Sequence, residues 1–151
     1  MEPIDQLSPS VKLYLLGAPR LERNGAPIAI DRRKAVALLA YLALTGQTHL
    51  RDTLATLLWP DSGQSHARAN LRHTLVVLKQ ALGDDSLDIA WESVTRRPEA
   101  ALWVDVLHFQ ALLMACRAHG HPPGDGCAVC LPLLTEAVAL PAEQFMAGFS
   151  L

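Results

Sequence analysis

The chain lacks any apolar run approaching the roughly 20 residues that a bilayer-spanning helix needs. Its opening, MEPIDQLSPS, has neither the basic start nor the apolar stretch of a secretory signal. These absences argue against a membrane or exported protein and give the expectation of a cytoplasmic one. Cysteine is scarce: three residues, an odd number, speak against a disulfide framework and for reduced thiols or metal ligands. Neither charge sign dominates, since 13 basic and 15 acidic residues leave a net charge of −2, so the chain as a whole is no polycation. Missing too are a Gly-rich phosphate loop, a Gly-x-Ser-x-Gly elbow and a His-Glu-x-x-His helix. The paired Asp84-Asp85 is more simply a solvated turn than a catalytic dyad. The expectation is therefore not an enzyme. No internal repeat or low-complexity segment breaks the chain up.

What is present is enough apolar material for a core: 50% of the 151 residues are hydrophobic and 19% charged, which excludes wholesale disorder. The length suits one domain, or a small domain with part of a second. Charge is unevenly placed. Every basic residue except Arg117 precedes Asp105, so the last third of the chain is acidic and the basic groups cluster ahead of it.

Residues 1–10 read as a loose leader. Val11 to Leu16 reads as a short strand, Gly17-Ala18-Pro19 interrupts it, and Arg20 to Arg23 alternates as a second strand. Asn24-Gly25 is a hairpin turn signal, because both residues tolerate positive φ. Ile28-Ala29-Ile30 makes a third strand. The period then changes. Ala35, Leu38, Leu39 and Leu42 recur at helical spacing until Gly46. A short helix over 51–58 buries Leu54, Leu57 and Leu58 and stops before Pro60. Leu50 occupies its N-cap place, with Thr48 as the substitute. A third helix spans 65–82 on the stripe Ala67, Leu71, Leu75, Leu78 and Leu82, closed by Gly83. Leu87, Ile89 and Trp91 then alternate as a strand, Glu92-Ser93 turns, and Val94 to Arg97 returns. After Trp103 the pattern is helical, with Val106, Phe109, Leu112, Leu113 and Cys116 on one face. A loop runs from His119 to Gly126, and a further helix follows over about 127–140. Phe149-Ser150-Leu151 reads as the start of another helix, which gives the expectation of a fragment of a longer protein.

The helix over 65–82 is the most informative segment. It contains no acidic residue, and at about 100° per residue Arg68, Arg72 and Lys79 share one flank of its buried stripe. Ser65, Ala69, His73, Val76 and Gln80 fall opposite the core. A basic exposed helix that follows a short helix and precedes a hairpin is the layout of a winged helix-turn-helix. Such a helix fits the major groove, where Arg and Asn read base edges, and a wing over 87–97 reaches the adjacent groove or phosphates. Arg96 and Arg97 sit in that wing, placed for phosphate contact. The blander reading is a solvated basic face.

These same stretches resemble the N-terminal region of the Streptomyces antibiotic regulatory protein type of transcriptional activators. Asp31 to Leu44 is similar to that family's first helix, Leu57-Leu-Trp-Pro-Asp61 to the end of its second, and Arg68-Ala-Asn-Leu-Arg72 with Leu75, Leu78 and Ala81-Leu-Gly83 to its recognition helix. Leu102 to Val106 is similar to the junction after the wing. The resemblance implies an α+β fold: a winged helix over 11–104, with a small N-terminal antiparallel sheet, three helices and a hairpin wing. Residues 105–151 would then be the incomplete start of the helical bacterial transcriptional activator domain. It implies a regulator binding double-stranded DNA in sequence-specific fashion through Arg68, Asn70, Arg72, His73 and Lys79, with Arg32, Arg33 and Arg51 clamping phosphates at helix starts. Implied partners beyond DNA are a second copy on direct repeats, RNA polymerase, or further domains of a longer chain. There are departures: Val76 and Val77 where the family often has polar or basic residues, Gln80 for Arg, and Arg96 at a wing position usually apolar. They leave open an alternative, a protein-interaction module that kept the scaffold while DNA binding weakened.

Cys116, His119, His121, Cys127 and Cys130 fall within fifteen residues. Cys127-x-x-Cys130 is a chelating pair, and His119-x-His121 supplies two more donors, so a structural zinc of Cys2His2 type is one reading, with Cys116 as an alternative ligand. Buried thiols beside loop histidines is the other. A redox Cys-x-x-Cys would follow a strand, which this one does not. His108 reads as surface and His49 as loop.

Overall fold

The computed structural model describes residues 11–83, 86–97, 102–120, 127–140 and 143–151; the expected leader 1–10, Asp84-Asp85 and His121 lie outside these. The elements run β1 (Val11–Tyr14), β2 (Arg20–Arg23), β3 (Ala26–Ile28), α1 (Arg33–Thr45), β4 (His49–Leu50), α2 (Arg51–Leu58), α3 (Gln64–Leu82), β5 (Leu87–Ile89), β6 (Ser93–Arg96), β7 (Leu102–Val104), α4 (Asp105–Ala118) and α5 (Cys130–Ala139). The fold is α+β, as expected.

Two small sheets frame three helices. The first has strand order β3-β2-β1-β7. Its β2–β3 turn is the Asn24-Gly25 pair, with φ of 51° and 82°, the conformation a two-residue hairpin of this hand demands. The sheet is not wholly antiparallel: β7 joins β1 in parallel, Val11 opposite Leu102 and Leu13 opposite Val104. The chain can make that pairing because Leu102 and Val104 alternate inward as β1 does. The second sheet, β4-β6-β5, is the hairpin wing plus a two-residue strand, with His49 opposite Val94. His49 therefore sits in a strand, its ring against Tyr41.

The helices pack their apolar stripes into one core. Leu38, Leu39 and Leu42 of α1, Leu54 and Leu58 of α2, and Leu71, Leu75 and Leu78 of α3 are buried against Leu13, Leu15 and Val94. Leu57, expected inside, is 50% exposed. Helix α1 ends at Gly46, at φ 62°, whose N–H bonds Leu42 O. Thr48 does not cap α2; its hydroxyl meets Thr95 Oγ1 at 2.7 Å. The first N–H of α2, on Arg51, is instead satisfied by the wing, donating to Glu92 O at 2.8 Å.

Helix α4 begins on a buried acid. Asp105 is fully buried, its Oδ1 accepting the N–H groups of Leu15 and Val106 and its Oδ2 that of Leu16, at 2.8–2.9 Å. A carboxylate at a helix start complements the free N–H groups there, and here it also ties the end of β1 to α4. Helix α5 starts later than the expected 127, and no helix begins at Phe149. Residues 143–151 instead turn back onto the first sheet: Phe145 pairs with Leu16, Met146 N–H donates to Leu15 O at 2.8 Å, and Gly17 N–H donates to Gln144 O at 3.0 Å. Backbone groups left unpaired where β1 ends are thereby satisfied. Among the described residues no helix is long and apolar enough to cross a membrane.

Candidate nucleic-acid interface

Helix α3 presents Ser65, His66, Arg68, Ala69, Arg72, His73, Val76 and Gln80 to solvent, opposite its buried stripe. Asn70, Val77 and Lys79 are half-buried at its edges. Val77 packs on the core, which leaves Val76, 47% exposed, as the apolar side chain on this face. The start of α2, the flank of α3 and the tip of the wing enclose an open groove of about 820 Å³, lined by Leu50, Arg51, Asp52, Arg68, Leu71, Arg72, Trp91 and Glu92.

The basic residues of this surface differ in how they are engaged. Arg68 is paired: its Nε and Nη2 donate to the two carboxylate oxygens of Asp52 at 2.6 and 2.7 Å. The guanidinium holds the Asp52 carboxyl below the usual carboxylate range, and the carboxylate in turn raises Arg68. Both side chains are about half exposed. Arg72, one turn on, is exposed and makes no ion pair or hydrogen bond among the described residues. Arg51 is half-buried in the groove floor, and its Nε is buried without a hydrogen-bond partner.

Away from the groove the expected phosphate contacts divide. Arg32 is exposed at the N-cap of α1. Arg33 donates through Nη1 to the carbonyl and hydroxyl oxygens of Ser150 at 3.1 Å, so the returning tail engages it. Arg97 is exposed where β6 ends. Arg96 is a correction. Its Nη1 donates to Ala43 O at 3.3 Å and its Nη2 to Leu102 O at 3.1 Å, its Nε is buried, and burial lowers its pKa. Strand alternation explains this: Arg96 lies two residues from buried Val94 and shares its face. It joins α1 to β7 and is not available to a phosphate.

Three residues of this surface were not singled out from sequence as ligand contacts. Trp91, 90% exposed, forms the wing tip with Glu92, where the turn closes through Ala90 N–H to Ser93 O; a bulky aromatic next to the polar Glu92-Ser93 pair was the available signal. Asp52 gave no local signal of its pairing, since Arg68 lies 16 residues away. Lys34 lies over the Trp59 ring at 5.2 Å and donates to Leu58 O, which fixes the α2–α3 corner.

The thiol and imidazole groups are brought together as their spacing suggested. One donor atom each from His119, Cys127 and Cys130 lie within 4.8 Å of one another, a group that could hold a metal ion. His119 Nδ1 and Cys127 Sγ are 3.1 Å apart. Backbone N–H groups of Cys130 and Val129 lower the Cys127 thiol pKa, whereas burial and then the neighbouring thiols of Cys116 and Cys127 push Cys130 up to about 11. None of the three cysteines is in a disulfide. His108 is not simply surface: half-buried, its ring lies tilted against Trp103 at 5.5 Å and meets Glu136 of α5 at 2.8 Å.

No family model and no curated protein matches the chain. Its fold does match a solved structure, that of Mycobacterium tuberculosis EmbR in complex with a low-affinity phosphopeptide. The TM-score is 0.68 at 21% identity, and the match covers 91% of this chain. The chain spans 37% of the EmbR chain. At that identity the likeness is one of fold.

Proposed function

We propose that the chain is the DNA-binding part of a transcriptional regulator that sets α3 into the major groove and the wing on the adjacent groove or phosphates. The observation that carries this is the outer surface of α3: exposed, basic and without an acidic residue from Gln64 to Leu82, with a hairpin beside it. The fold shared with EmbR and the resemblance of residues 31–44, 57–61, 68–83 and 102–106 to Streptomyces antibiotic regulatory protein-type activators support the same reading.

Roles follow from placement. Arg72, His73 and Asn70 face bases; Arg68, Lys79, Arg32, Arg51 and Arg97 face phosphates. A phosphate ridge fits the groove between α3 and the wing, whose lining includes Arg51, Arg68 and Arg72. Asp52 opposes this, because its carboxylate occupies the Arg68 fork that a phosphate would otherwise fill. Residues 11–104 form the DNA-binding unit and 105–151 the start of a helical activator unit. Dimerisation on direct repeats, RNA polymerase contact or further domains would compensate the modest positive charge. Such a protein works in the cytoplasm and catalyses nothing. The thiol–imidazole cluster lies on α4 and α5, which carry none of these cations, so a structural zinc there is independent of DNA binding.

The test is binding to direct-repeat duplexes across a salt series. Arg72→Ala should weaken binding about tenfold and relax specificity at the base it reads, whereas Lys79→Ala should weaken binding to all duplexes alike and flatten the log–log salt slope by about 0.9. Binding that ignores both salt and Arg72 would favour a protein-interaction module, the reading to which exposed Val76 and Trp91 are suited.

A further inference from the structure

The contact between α4 and α5 contains a chelating set that the DNA-binding surface does not use. His119 closes α4, Cys127 stands just ahead of α5, and Cys130 is the first residue of α5. The donors thus come from both sides of the hairpin, His119 from the end of α4 and Cys127 and Cys130 from the start of α5. Their donor atoms lie within 4.8 Å of one another, and the His119 Nδ1 to Cys127 Sγ distance is 3.1 Å. Zinc–sulfur bonds of about 2.3 Å and zinc–nitrogen bonds of about 2.0 Å at tetrahedral angles put donors roughly 3.5–3.8 Å apart. Shifts of about an ångström or less close the site.

A fourth donor stands beside Cys130. Cys116, one turn before His119 on α4, has its Sγ 3.8 Å from Cys130 O, and Cys130 Sγ is 3.8 Å from Cys116 O. Cys130 is 1% exposed, Cys116 and Cys127 are half-buried, and His119 lies on the exposed side of the cluster. Three sulfurs and one imidazole nitrogen are a donor set for zinc: too soft for magnesium or calcium, and one of the recognised closed structural arrangements.

We propose that Cys116, His119, Cys127 and Cys130 bind one zinc ion that fastens α4 to α5. The ion replaces the thiol protons, which leave to solvent, and no electron is transferred. Its role is structural. The hairpin buries few side chains, Leu112, Cys130 and Ala137 among them, and a cross-link at its loop end adds to that packing.

The experiment uses the whole chain, purified under reducing conditions without chelator. Zinc measured by elemental analysis should be about one ion per chain, and loading with cobalt(II) should give intense tetrahedral visible bands with thiolate-to-cobalt charge transfer in the near ultraviolet. Cys127→Ser and Cys130→Ser should each lose stoichiometric metal. Cys116→Ser and His119→Ala should retain cobalt but shift its bands. Chelator should lower the Tm of the parent chain and leave that of Cys127→Ser unmoved, with circular dichroism showing that each variant is folded. Substoichiometric zinc with only weak octahedral cobalt bands would overturn the site. An unchanged cobalt spectrum in Cys116→Ser would overturn the four-ligand set. Neither result bears on salt-dependent DNA binding.

Discussion

The winged part of the molecule and the α4–α5 hairpin solve the burial of apolar residues differently. Through Val104, Leu13, Leu15, Leu38, Leu39, Leu42, Leu54, Leu71, Leu75, Leu78 and Val94 are all sealed in one core. In the hairpin, Met114 is 67%, Leu131 64% and Val138 78% exposed. The reason is geometric. Three helices between two sheets can each turn a stripe to a shared centre, whereas two helices have one mutual contact and an outer face each. An apolar stripe in a sequence therefore reports that a helix has a face to cover, not that the chain in hand covers it. The hairpin is held instead by particular polar groups: Asp105 at its start, the returning backbone of 143–151, and the thiol–imidazole cluster at its loop end.

The sharpest test of this difference compares two leucines. Leu78→Ala empties a site with no exposure in the common core and should cost about 4 kcal/mol in urea unfolding. Leu112→Ala, in the hairpin and already 8% exposed, should cost about 2 kcal/mol. Equal losses would make the hairpin an integral layer of the core and erase the contrast.

Asp105 is the seam between the two regions. Replacing it by Ala leaves the N–H groups of Leu15, Leu16 and Val106 without their acceptor, and an unsatisfied buried donor costs about 1–3 kcal/mol. Partial rehydration keeps the total near 3 kcal/mol. Hydrogen exchange should speed up at Leu15 and along the first turn of α4, while the centre of α3 stays protected. Uniform loss of protection would mean the two regions unfold as one.

A smaller effect is expected from acid. Arg68 holds the Asp52 carboxyl below its ordinary value, so the pair's contribution is complete above the ordinary carboxylate pKa and fades as pH falls through the lowered folded value. Both groups are exposed, which keeps the contribution slight. An NMR titration of Asp52 should give a midpoint below about 3.9, returning to about 3.9 in Arg68→Ala. A midpoint already at the ordinary value in the parent chain would mean that the pair does not persist in solution and that Arg68 is as available as Arg72.

Much of the winged region was legible because its signals are local. The span of α2 and the turn at Asn24-Gly25 follow from helical spacing, Pro60 and the turn preferences of two residues, and α3 begins one residue before the expected 65. What was not legible is non-local. Two-residue β4 has no periodicity to read, and the parallel joining of β7 to β1 links residues about ninety apart in sequence. The return of 143–151 to β1 is backbone pairing, which side chains do not advertise. Among the candidate contacts, Arg96 was misread although the rule that places it inward was at hand: a strand's second neighbour shares its face, and Val94 is a core residue. Asp105 is the converse case, an acid two of whose three bonds reach the backbone of Leu15 and Leu16, which only the folded chain brings near.

The smallest effect concerns the outer hairpin face. Val138 is 78% exposed on α5, so Val138→Ser removes little burial, and the change should stay within about 0.5 kcal/mol. The comparison depends on this value. If the hairpin's outer face meets only water, the substitution is neutral at every protein concentration, and the sealed core of the winged region stands alone as the source of hydrophobic stability. A loss of more than about 1 kcal/mol that grows with protein concentration would mean that the face is covered in solution, because stability drawn from association scales with the concentration of the associating species. The two regions would then follow one burial rule after all, the first within its own chain and the second across a contact between chains.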